Sequence, residues 1–144
     1  MKQIITILLI ATMLTSCKQG GGVNVTPAQV TIGATVATAA ALRFAVDNDQ
    51  KRTAVANLAD YIAKTCYAVS NNPSPDQLAA IINQNVPQNI KSQYPELVAL
   101  MVPIVISTYT VIYNQHKDDA QKVYAYLQAI ALGVQTGASS FISH

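Results

Sequence analysis

PELVALMVPIVISTYTVIYNQ, residues 95–115, is the stretch on which the reading of this chain turns. Glu96 is its only formal charge. Wound as a helix, one face carries Leu97, Leu100, Met101, Ile104, Thr108, Val111 and Ile112, and the opposite face carries Val98, Val102, Val105, Tyr109 and Tyr113. A helix apolar all round is enclosed by other helices or by lipid. The uncharged run from Leu97 to Tyr113 falls at the short edge of the roughly 17–25 residues needed to cross a bilayer. Ser107, Thr108, Tyr109 and Thr110 bring hydroxyls that a protein core satisfies more easily than lipid does. Pro103 removes a backbone donor in mid-run and frees the carbonyl of Ala99, which predicts a kink. The reading adopted is a buried central helix in an all-α bundle. A membrane span, and a pair of β-strands drawn from the same Val, Ile, Thr and Tyr residues, are the alternatives.

The flanking segments supply the other helices of a single small bundle of about five. Downstream, Asp118 as N-cap with Gln121 at N3 predicts a helix to about Thr136, with Val123, Tyr126, Leu127, Ile130 and Val134 inward and Gly137 as its stop. The tail 138–144 is expected to fray, with Phe141 and Ile142 able to dock. Upstream, Val86 to Tyr94 reads as an irregular connector with at most one helical turn, and Ser74, Pro75 and Gln77 open a short helix to Asn85 that buries Leu78, Ile81 and Ile82. From Gln50 to Val69 the residues Val55, Leu58, Ala59, Ile62, Cys66 and Val69 recur at helical spacing, with Arg52, Asn57, Asp60 and Lys64 opposite. Asp47, Asn48 and Asp49 form a turn that caps this helix. No glycine or distal glutamate follows them at calcium-loop spacing. Thr26, Pro27 and Gln29 open the first helix, expected to reach about Val46 and to bury Val30, Gly33, Ala34, Ala37, Ala41, Phe44 and Ala45. Gly33, Ala37 and Ala41 are small residues four apart and predict close approach of a second helix. The bundle domain is thus expected over residues 26–137.

A chain of 144 residues, 51% hydrophobic and 11% charged, can bury one genuine core. A net charge of +2 gives no basis for nucleic-acid binding. The N-terminus reads as an address: Lys2 is the charged n-region and Ile4 to Leu14 the apolar h-region of a signal peptide. The Lys18–Val25 stretch, with Gly20, Gly21 and Gly22, reads as a flexible tether.

Between these two segments, Leu14-Thr15-Ser16-Cys17 resembles the lipobox of bacterial lipoproteins. That resemblance implies a signal peptide over residues 1–16, cleavage before Cys17, and acylation of Cys17 with diacylglycerol and an amide-linked acyl chain such as palmitate. Such an anchor exceeds the two lipid signals needed for stable attachment. Lys18 stands where inner-membrane lipoproteins typically carry Asp, so the resemblance implies the cell outer membrane where the host has one. Over about Val30 to Gly137, the order of a Gly/Ala-rich helix, a helix pair, a valine-rich helix and a last helix with Tyr126-Leu127 resembles small uncharacterised lipoproteins of bacteria and their phages. It implies no activity.

The residues give no basis for an enzyme or a cofactor. Nucleophilic catalysis needs a nucleophile, a base and an orienting group, and the two histidines are His116, at a helix end, and the C-terminal His144. The seven acidic residues are scattered, and no metal-ligand or phosphate-loop spacing occurs. Cys66 lies on a buried helical face and reads as an inert core thiol. Among the seven tyrosines, Tyr109, Tyr113 and Tyr126 are candidates for an interface or a small apolar pocket. These features together point to a lipid-anchored interaction module with an envelope protein partner. A carrier of a small apolar ligand beside the Pro103 kink, and a membrane-active protein that inserts residues 97–113, are the alternatives. Labelling with a palmitate analogue should mark the wild-type chain and leave Cys17→Ser unmarked; equal labelling would refute acylation at Cys17.

Overall fold

The computed structural model describes residues 25–69 and 72–140. These form six helices: α1 (Pro27–Arg43), α2 (Asp49–Ala68), α3 (Pro75–Asn85), α4 (Gln88–Gln93), α5 (Pro95–His116) and α6 (Ala120–Ser139). No strand occurs among the described residues, and the fold is an all-α bundle. The signal peptide, Cys17 and the tether through Asn24 lie outside the described residues, as do Phe141 and Ile142.

Caps set most of the helix starts. At α1 the Gln29 N–H donates to Thr26 Oγ1 at 3.3 Å, and the Thr26 N–H donates to Gln29 Oε1 at 2.9 Å. Ser74 and Gln77 repeat both bonds at α3, so two donors that a helix start would otherwise leave open are satisfied at each. Asn48 caps α2 by accepting from the Lys51 N–H at 2.8 Å. At α6 the cap is Asp119, one residue beyond the expected Asp118. Its carboxylate accepts from the Lys122 N–H at 3.1 Å, while its own N–H bonds back to His116 O at 2.8 Å and closes the preceding turn. The expected connector 86–94 holds the sixth helix, α4, which has no side-chain cap and turns Ile90 into the core.

α5 packs against each of the other five helices. Leu97, Leu100, Met101, Val102, Ile104, Val105, Thr108, Tyr109 and Ile112 are buried on it, drawn from both faces. Among the described residues it alone is long and apolar enough to cross a membrane, and 44% of its apolar window is buried in the bundle. The helix runs unbroken through Pro103. Ala99, whose carbonyl that proline leaves without its helical donor, is exposed and can meet water instead.

The tightest pairing joins the first helix to the last. The Thr31 hydroxyl donates to Ala129 O at 3.1 Å. A Cβ built on Gly133 would lie 2.5 Å from Ala34 Cβ and 2.6 Å from Thr31 O; one on Gly137 would lie 2.6 Å from Thr35 O and 2.8 Å from Thr38 Cβ. Positions 31, 34 and 38 thus meet 129, 133 and 137 in rising order, so α1 and α6 run parallel. Of the small residues that predicted close approach, Ala37 and Ala41 are buried with Ile104 of α5, but the closest approach lies on another line. Gly33 is exposed with nothing within 4 Å of its Cβ position, and the glycines that admit the partner belong to α6. Gly137 is therefore not a stop. The helix continues to Ser139, and Ala138, expected in a frayed tail, is fully buried. α1 ends at Arg43 instead of near Val46, which leaves Phe44 at 76% exposure and outside the core.

One substitution made at two glycines separates these roles. Gly33→Ala should raise stability by about 0.5–1 kcal/mol, since an exposed helical site gains propensity at no steric cost. Gly133→Ala should lower it by about 1–3 kcal/mol through overpacking of the seam. Chemical denaturation monitored by circular dichroism reads both, and shifts of the same sign would refute the assignment.

Candidate functional site

The three tyrosines singled out from the sequence do not share a pocket. Tyr109 and Tyr126 are buried, and Tyr113 is half-buried. The Tyr109 hydroxyl donates to Pro73 O at 2.6 Å and that of Tyr126 donates to Val25 O. The exposed Tyr124 does the same for Tyr67 O at 2.8 Å. Each ties a helix to the backbone of a distant segment, satisfying a carbonyl that no helix ladder reaches. Tyr113 meets Tyr109 edge-on with ring centroids 5.8 Å apart, and His116 stacks on Tyr126 at 5.4 Å with the rings 7° from parallel. Burial raises the hydroxyl pKa of Tyr126; at Tyr109 burial, helped by Tyr113 and Cys66, pushes it up to about 12. The Asn72 side-chain amide adds a bond to Lys117 O at 2.8 Å, with Asn72 at φ 48°, a left-handed conformation that Asn tolerates better than most residues. Sequence reading placed these tyrosines at the edge of the core but missed their carbonyl partners. Hydroxyls that bond 36 and 101 residues away leave no local signal.

Charged groups form surface pairs: Lys51–Asp47 at 3.2 Å, Arg52–Asp49 at 3.1 Å and Lys64–Asp60 at 2.8 Å. The Asp60 hydrogen bond and charge raise the Lys64 pKa. Exposed pairs of this kind are screened by solvent and contribute little to stability. Among the described residues no three His, Cys, Asp or Glu side chains lie close enough together to hold a metal ion. His116 is half-buried against Tyr126, beside no nucleophile that it is bonded to in the described residues.

Two open grooves mark the surface. One, about 540 Å³, lies between α2 and α3 and is lined by Tyr61, Lys64, Thr65, Pro73 and Asn85 among others. The second, about 610 Å³, lies along α1 beside Arg43, Arg52 and Ser140. Neither is lined by α5, and neither includes Tyr109, Tyr113 or Tyr126. A carrier site beside Pro103 gains no support from them.

Compared with protein-family models, with curated proteins and with solved structures, the chain finds no match.

Cys66 is fully buried and unpaired, and burial pushes its thiol pKa up to about 12. The thiolate is the reactive form, so native Cys66 should resist a bulky thiol reagent at neutral pH in a Cys17→Ser background and react only after unfolding. Above the ordinary thiol value near 9 the unfolded chain releases a proton that the folded chain retains, so stability should fall as pH rises from about 9 to 12. Cys66→Ala should flatten that fall relative to the parent. Rapid labelling of the native protein, or an unchanged alkaline slope, would show that the thiol is not held protonated in the core.

Proposed function

We propose that this chain is a lipid-anchored helical protein of the bacterial envelope that acts as a non-enzymatic interaction module. The observation that carries the reading is the run of charged residue, apolar stretch, Leu14-Thr15-Ser16-Cys17 and Gly-rich tether. Such a run exports a domain and leaves it on a membrane by its acyl chains. Lys18 favours the outer membrane in a Gram-negative host, and a phage or prophage gene is compatible with the resemblance of the bundle region.

The arrangement of the bundle supports binding over chemistry. Six of its charged groups sit in three separate surface pairs, its one described cysteine is buried, and the hydroxyls of Tyr109 and Tyr126 hold backbone carbonyls. No described group is both activated and accessible, whereas recognition needs only a rigid surface held at the right place. Tethering supplies that place, because confinement raises the effective concentration of a partner in the same membrane.

Crosslinking of the tagged, acylated chain in cells, followed by purification from solubilised envelopes, should return the same envelope protein in repeated experiments. Cys17→Ser should return it in much smaller amount. Repeated recovery of no specific partner would overturn the interaction reading while leaving acylation to be judged by its own label.

A further inference from the structure

α1 has no polar face. Its 17 residues, PAQVTIGATVATAAALR, carry one charge, Arg43, at the last position. Val30, Ala34, Ala37, Thr38, Ala41 and Leu42 are buried. The side turned to solvent presents Ile32 at 63% and Val36 at 53% exposure, with Gly33 and Ala40 also exposed. Of the exposed residues on this helix only Gln29 and Arg43 are polar. Leu132 of α6, 49% exposed, directly precedes Gly133, whose backbone lies against Thr31 and Thr35. It therefore extends the same apolar region across the seam. A helix at a water surface ordinarily carries polar residues on this side.

We infer that the outer face of α1, centred on Ile32 and Val36, lies on the phospholipid surface to which Cys17 is anchored. The inference rests on the anchor reading above. The tether's length singles out lipid as the occupant. From Cys17 to Val25 are eight residue steps, which span at most about 28 Å when fully extended and about 15 Å as a flexible chain. The far end of the tether is also fixed. Val25 is buried and its carbonyl is held by the Tyr126 hydroxyl, and α1 begins two residues later. Ile32 and Val36 lie in the second and third turns of the helix that leaves this point, so they are the first exposed large apolar side chains of the described fold beyond the tether.

Charge agrees with that occupant. α1 bears no acidic residue, and Arg43 stands at the end of its outer face. Arg52 of α2 lines the same groove as Val36 and Arg43 while pairing with Asp49. An apolar helical face with arginine beside it is the combination that settles helices at the level of anionic headgroups. The acyl chains supply attachment, and the outer face of α1 supplies orientation, turning the opposite side of the bundle toward the aqueous compartment.

The chain contains no tryptophan, so one introduced tryptophan reports a single position. Acylated full-length Val36→Trp, and as a control Gln84→Trp on α3, would be reconstituted into vesicles of phosphatidylethanolamine and phosphatidylglycerol, with and without brominated acyl chains. Mass spectrometry would confirm the acyl group on each protein. The tryptophan at position 36 should emit further to the blue and lose most of its intensity to the brominated lipid, while that at position 84 should do neither. An unquenched position 36 in protein that carries its acyl chains would overturn the inference and leave the anchor intact. A blue shift without quenching, accompanied by crosslinking of two copies through position 36, would make the face a dimer interface and also overturn it. An unmodified Cys17 would overturn the anchor reading, and this inference with it.

Discussion

The contact between α1 and α6 depends on two missing side chains. At Gly133 and Gly137 the opposing backbone is so near that even a methyl group would fall 2.5–2.6 Å from the atoms of α1. At this separation dispersion contacts are made backbone to backbone, and a helix carrying little side-chain volume can still gain substantial packing energy. That gain matters for α1, whose six buried residues are three alanines, one valine, one leucine and one threonine. Alanine buries little apolar area per residue, so the helix is held by proximity more than by hydrophobic bulk. Once α1 is seated, Leu127, Ile130 and Val134 of α6 complete the main core with Leu58 and Ile62 of α2 and Met101 and Val105 of α5.

The links between helices are secured by different means. Tyrosine hydroxyls and the Asn72 amide reach the carbonyls of Val25, Tyr67, Pro73 and Lys117. Val25, Pro73 and Lys117 lie outside the helices, and leaving such a carbonyl buried and unbonded costs about 1–3 kcal/mol. An aromatic side chain serves here because its ring packs in the apolar layer while its hydroxyl reaches the edge. The bundle therefore combines a dry, closely approached centre with polar ties at the chain links.

Much of this fold is legible in the sequence because much of it is local. The capping boxes at Thr26 and Ser74 each span only four residues, and the buried face of α2 follows from helical spacing alone. The core position of α5 can be read from the composition of one segment. Long-range features are less legible. Gly33 and Gly137 are the same residue type, and the first suggested a contact and the second a stop; which glycine meets another helix depends on a partner about a hundred residues away. The Asp118-Asp119 pair offers two adjacent caps, and the choice falls to the closing turn at His116. Of the candidate site residues, Cys66 was placed in the core by periodicity, whereas the hydroxyl partners of Tyr109 and Tyr126 had no trace in neighbouring sequence.

The parallel seam also bears on how the chain acquires its fold. The hydrogen bonds Thr31–Ala129 and Tyr126–Val25 join residues 98 and 101 positions apart, so the best-packed pair consists of the first and last of the described helices. Helical bundles are usually rich in local contacts and close quickly; here loop closure across nearly the whole domain must precede the seam. Until α6 has emerged, α1 has no glycine-lined partner and too little side-chain bulk to hold a fixed place alone. A chain emerging N-terminus first would therefore hold α1 loosely until α6 has been made. A chain released before α6 would lack that seam, because the two helices that form it lie at opposite ends of the described fold.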